Sequence, residues 1–148
     1  MSRYFEEFTP GEVFVSSGRT VTEADLTMFC MLSGDWNPIH ADAEFAATTR
    51  FKERIVHGSF GIALTTGFMH QMGVFATTAV AMLSLENWQF RAPILVGQTL
   101  KLRMTITETD PGSSARVGRL GRRLEILDQN GAVLQEGSTD LLILKRTA

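Results

Sequence analysis

The spacing of apolar and polar positions changes along the chain, and the predicted elements follow those changes. Val13 to Val21, after Pro10-Gly11, is rich in β-branched and aromatic residues and predicts a short strand. Thr22 with Asp25 in the first turn marks a helix start; Leu26, Phe29 and Cys30 keep helical spacing until Gly34, a good stop. Ala41 to Thr48 predicts another short helix, and Arg50, Lys52, Glu53 and Arg54 a charged, exposed connection. From Gly58 to Phe75 the positions Phe60, Ala63, Leu64, Gly67, Phe68, Gln71, Met72 and Phe75 recur at i, i+3, i+4 and i+7. Ile62, Met69 and Val74 fall on other faces, so this central helix is expected to be buried nearly all round. Gly61, Gly67 and Gly73 each cost roughly 1 kcal/mol of helix propensity relative to alanine. Such a cost makes sense if something packs very close, such as a sheet wrapped around the helix.

Beyond the helix the period drops to two. Val80 to Phe90 predicts a strand, broken at Pro93. Leu100, Leu102, Met104 and Ile106 alternate with Lys101, Arg103, Thr105 and Thr107, as in a half-buried strand. Asp110-Pro111-Gly112 is a turn, Leu120, Leu124 and Ile126 share one face, and Asp128-Gln129-Asn130-Gly131 closes a hairpin onto Val133 to Leu144. A helical first half, a buried helix and an antiparallel meander predict an α+β domain in which a sheet curls around a helix.

Composition narrows the setting. The 148 residues predict one domain, 1–148, with a real core, and a net charge of −2 offers no basic face for nucleic acid. The start, MSRYFEEFTPGE, lacks the apolar core of a signal peptide, and no apolar run approaches membrane-spanning length. Cys30, the single cysteine, cannot form an internal disulfide and is expected to be a small buried hydrophobe. A cytoplasmic protein with no membrane or nucleic-acid partner is the expectation.

The candidate chemistry lies in residues 33 to 58. Gly34-Asp35-Trp36-Asn37-Pro38-Ile39-His40 brings a carboxylate and an imidazole onto one turn, which Pro38 is expected to keep off any regular helix. Such a pair can hold one water, the carboxylate taking a proton while the histidine relays another. Asn37 can fold its amide onto nearby backbone and set the shape of the turn. Val56-His57-Gly58 ends where the central helix begins, so the Gly58 N–H is a free donor facing any developing negative charge. No third and fourth ligand stand at helpful spacing, so a metal is not expected. His57 reads as ordering its loop or packing, His70 as a satisfied core histidine, and Trp88 and Phe90 as core or interface.

The string SGDWNPIHADAEFA closely resembles the hydratase 2 signature of the MaoC-like, (R)-specific enoyl-CoA hydratases, and the resemblance continues through AATTRFKERIVHG and NWQFRAPILVGQTL. It implies a hot dog fold and reversible hydration of a trans-2-enoyl thioester to the (R)-3-hydroxyacyl thioester. It also implies Asp35 and His40 as the catalytic pair. On the substrate side it implies Gly58 as the N–H donor to the thioester oxygen and Asn37 as the residue that orients the turn. Ser59 departs from the methionine or other apolar residue expected there, and reads either as a cap of the central helix or as a substrate contact. The carrier is coenzyme A or acyl carrier protein, with no cofactor of the enzyme's own. Arg50, Lys52 and Arg54 suit its phosphates or form a solvated loop. The resemblance further implies a homodimer or higher homo-oligomer with the acyl tunnel at or near the interface. A hot dog thioesterase and a non-catalytic acyl-CoA-binding protein are the alternatives; the intact Asp35/His40 pair argues against both.

Overall fold

The computed structural model describes residues 2–146. After a 3-10 turn at Phe5–Glu7 come β1 (Val13–Val15), β2 (Arg19–Thr20), α1 (Glu23–Ser33), α2 (Pro38–Ala41), α3 (Ala43–Thr48) and β3 (Ile55–Val56). The long helix α4 (Gly58–Met72) follows, then β4 (Ala79–Met82), β5 (Glu86–Phe90), β6 (Ile94–Leu95), β7 (Thr99–Asp110), β8 (Val117–Leu127) and β9 (Val133–Leu144). The main sheet is antiparallel in the order β1-β7-β8-β9-β4, with β2 also on β7 and β5 also on β9, while β3 and β6 form a separate ribbon.

Alternation along the long strands makes the core. Leu100, Leu102, Met104 and Ile106 are completely buried, and Leu120, Leu124 and Ile126 extend the same apolar surface on β8. Phe60, Leu64, Phe68 and Met69 of α4 belong to the same cluster. Burying each such side chain contributes about 1.5–3 kcal/mol. Tertiary packing therefore outweighs the propensity lost at the helix glycines. The β8–β9 hairpin closes as expected: Asp128 Oδ1 accepts from the N–H groups of Asn130 and Ala132, each at 2.9 Å, and Gly131 takes φ 84°. The architecture is the expected α+β sheet curled over a helix, a hot dog fold.

Several expectations need correction. The first half is not purely helical, because Val13 to Val21 divides into β1 and β2 around Ser16-Ser17-Gly18. Val80 to Phe90 likewise forms two strands. At the break the Thr139 hydroxyl donates to the Ser84 carbonyl at 2.7 Å, and Asn87 takes φ 51°. Helix α4 stops at Met72 because Gly73 adopts the left-handed cap, φ 72°. Nor is α4 buried nearly all round. The sheet covers Phe60, Gly61, Leu64, Thr65, Phe68 and Met69, whereas Ala63, Thr66, Gly67, His70 and Gln71 are exposed. Small residues satisfied the apolar pattern without being core, and His70 is a surface histidine. Of Gly61, Gly67 and Gly73 only Gly61 is closely packed, against the Gln135 side chain; nothing lies within 4 Å of a Cβ built on Gly67 or Gly73.

Candidate active site

Three local structures place the site. Helix α1 is capped reciprocally by Thr22 and Asp25 and ends at Gly34, whose φ of 72° turns the chain sharply. The turn that follows is braced by its own side chains. The Asp35 N–H donates to Ser33 Oγ at 3.2 Å, and the Asn37 N–H to Asp35 Oδ1 at 3.1 Å. Asn37 then caps α2, its Oδ1 accepting from the Ile39 N–H at 3.2 Å, with Pro38 at the first helical position. Here the expectation that proline keeps the pair off any regular helix is corrected. Proline disfavours helix only at the residue before it and is well suited to opening one, so His40 lies within a single helical turn.

The two side chains converge. His40 Nδ1 lies 2.7 Å from the Ile55 carbonyl, which can only accept, so Nδ1 carries the proton and donates. That leaves Nε2 as the functional nitrogen, 3.9 Å from Asp35 Oδ2. The separation is too long for a direct hydrogen bond and short enough for both atoms to contact one small molecule. Half of the Asp35 side chain is exposed while His40 is largely enclosed, so the carboxylate forms the solvent-facing side.

A third residue completes the group. His57 is 4% exposed, stacks on His40 with ring centroids 3.7 Å apart, and meets Phe29 at 5.1 Å. Its Nε2–H donates to the Asp35 carbonyl at 2.9 Å and lies 3.7 Å from Asp35 Oδ2. It orders the loop and packs, as expected, and in addition touches both members of the pair. Its neighbour Cys30 is buried; burial and then the Asp35 charge hold the thiol above its ordinary pKa, so it is protonated. The fold thus supplies a third potential ligand that sequence spacing did not show. Donor atoms of Asp35, His40 and His57 lie within 4.8 Å of one another, although His57 Nε2 is already committed as a donor to the Asp35 carbonyl.

Gly58 opens α4 directly after His57. As the first two amides of a helix, the N–H groups of Gly58 and Ser59 have no intrahelical partner, and among the described residues they find no acceptor. The Phe90 ring lies over Gly58, where a Cβ would come within 2.8 Å of Cε1. Ser59 is exposed and makes no capping bond; His57 holds the cap position, so the capping expectation for Ser59 is corrected. A cleft of about 290 Å³ runs from Gly58 between Ile55, Phe90 and Ile94 to Arg50 and Arg91. Of the cations expected near a carrier, Arg50 reaches this cleft, whereas Arg54 is paired with Glu23. Trp88 is half-buried and Phe90 exposed.

Comparison with known proteins bears on the family and the fold. The family model described as MaoC like domain matches residues 6–124. Protein MaoC of Klebsiella aerogenes is 40% identical over 103 residues, 70% of this chain but only 30% of that protein. The (R)-specific enoyl-CoA hydratase of Rhodospirillum rubrum is 34% identical over 109 residues, 73% of this chain and 72% of that protein. Among solved structures, a monoamine oxidase regulatory protein from Archaeoglobus superposes with a TM-score of 0.90 at 27% identity, covering 99% of this chain and 97% of that one.

Proposed function

Because the chain belongs to the MaoC-like domain family, and several, though not all, of its relatives are named hydratase or dehydratase, we propose that it reversibly hydrates a trans-2-enoyl thioester to the (R)-3-hydroxyacyl thioester. The observation that carries this reading is the meeting of Asp35 Oδ2 and His40 Nε2, 3.9 Å apart, beside a helix start with two free N–H groups. Water bound between carboxylate and imidazole gives a proton to Asp35 as its oxygen bonds to C3. The electrons move to the thioester oxygen, which the Gly58 N–H stabilises. A proton returned from the Asp35/His40 pair to C2 then collapses the enolate, leaving the pair with the protons it began with. Base, acid and oxyanion donor are all protein groups, so the proposed reaction calls on no metal or redox group.

The cleft past Gly58 offers the thioester arm an apolar wall and, at Arg50 and Arg91, cations for the phosphates of coenzyme A or an acyl-carrier arm. Val80, Met82, Leu83 and Leu85, exposed on and beside the edge strand β4, suit a homodimer. No helix among the described residues is long and apolar enough to cross a membrane; the cytoplasm is the proposed location. The test is incubation with crotonyl-CoA and longer enoyl-CoAs, following loss of the conjugated enoyl absorbance and release of thiol. Loss of conjugation without thiol, giving the R product, supports the proposal. Thiol release makes the protein a thioesterase, and binding without turnover makes it an acyl-thioester sensor.

A further inference from the structure

Gln135 lies on β9 opposite Ile126 and is 2% exposed, on the inward face it shares by alternation with Gly137, Thr139, Leu141 and Ile143. Both ends of its amide are engaged. The Trp88 indole N–H, which can only donate, lies 3.1 Å from Oε1, and the Gly58 carbonyl, which can only accept, lies 3.1 Å from Nε2. The partners' chemistry therefore fixes the amide orientation. Room for it comes from Gly61, where any Cβ would collide with the Gln135 side chain.

The Phe90 ring stands where a Cβ of Gly58 would lie, and glycine leaves the backbone at the helix start unusually free to move. The Gln135 amide counters that freedom. It holds the carbonyl of the planar Gly58–Ser59 peptide, whose other edge is the Ser59 N–H, and it fixes the turn from which the Gly58 N–H projects. We infer that Gln135, held by Trp88, is a positioning residue that aims the free N–H groups of Gly58 and Ser59 at the substrate's thioester oxygen. This rests on the proposed reading of the helix start as the oxyanion site.

The experiment reads the donors directly. Crotonyl-CoA carrying ¹³C at its carbonyl is bound to the D35N variant, and the thioester C=O stretch is recorded by difference infrared spectroscopy. A stretch lowered from its value in water, and moving back toward that value in D35N/Q135M and D35N/G61A, is the expected result. A stretch lowered equally with and without Gln135 overturns the positioning role and leaves the hydratase reading intact. A stretch that is not lowered even in D35N overturns the oxyanion reading itself. In the otherwise unmodified enzyme, Q135M should lower kcat roughly tenfold, the scale of one lost hydrogen bond, with KM within about twofold. Should Q135M and G61A fold poorly, W88F removes the indole donor and must move the stretch in the same direction by a smaller amount; no movement refutes the relay.

Discussion

Gly58→Ala separates the role of the helix start in catalysis from its role in stability, because the two respond in opposite directions. The added methyl would stand 2.8 Å from Phe90 Cε1 and 3.0 Å from Cδ1. Ordinary carbon contacts are about 3.5–4.0 Å, so the ring must retreat by roughly 0.7 Å. Phe90 is 60% exposed, and such a ring can swing aside at little cost. Replacing a helical glycine by alanine gains up to about 1 kcal/mol of propensity. The variant should therefore melt at the same temperature or up to about 4 °C higher, as expected for a domain of this size. Activity should move the other way. The methyl and the displaced ring both stand on the wall of the cleft that Gly58 lines, where they would hinder a substrate carbonyl approaching its N–H, and losing an oxyanion donor costs about 10²–10³ in kcat. Hydration of crotonyl-CoA and a parallel thermal melt read the two quantities. Unchanged kcat with normal melting would mean that the Gly58 N–H does not touch the substrate. A drop in melting temperature above about 5 °C would mean that Phe90 is anchored, and the steric reasoning would fail.

Further predictions address the pair and two charged sites. Asp35→Asn and His40→Ala should each lower kcat by at least about 10²-fold in the same assay, and near-normal turnover in either sinks the mechanism. Arg122 is buried, with Nε unpartnered among the described residues and only Met69 Sδ at 3.2 Å and Thr139 Oγ1 at 3.5 Å near its other nitrogens; burial lowers its pKa to about 10. Arg122→Met should raise stability by about 1–3 kcal/mol in urea unfolding, and a loss of more than about 1 kcal/mol would reveal an acceptor supplied from outside this chain. Glu125 is gripped by Arg103 through two bonds of 2.7 and 2.9 Å, which hold its carboxyl below the ordinary 4.5. As pH falls below about 5, the unfolded chain binds the proton first, so stability present at neutral pH is lost through the depressed folded value. The contribution is about 1 kcal/mol or less because Arg103 is partly exposed, and Glu125→Gln should flatten the acid limb of urea midpoints by that amount.

What could be read from the sequence was whatever one element's own period or cap decides. Leu100 to Ile106 alternates because every second side chain faces the core, and Thr22, Asp25 and Gly34 announce the ends of α1 without help from elsewhere. The exposed face of α4 was misread because alanine and glycine satisfy an apolar pattern equally well in a core or at a surface. Local signals also located Asp35, His40 and Gly58, but not what binds them together. His57 sits 22 residues from Asp35, and Gln135 sits 77 from Gly58; no spacing rule reaches so far. Each is a polar group whose burial is costly unless a partner is supplied, but only His57 left a trace in the sequence. His57 directly precedes a helix-opening glycine, whereas Gln135 opens the polar stretch Gln135-Glu136-Gly137-Ser138-Thr139-Asp140, where nothing in the sequence sets it apart from its neighbours. A buried polar residue stays in a core when its bonds are worth more than the packing an aliphatic side chain would give. Here the bonds of His57 and Gln135 end on Asp35 and Gly58, so the core itself holds the turn and the helix start in register.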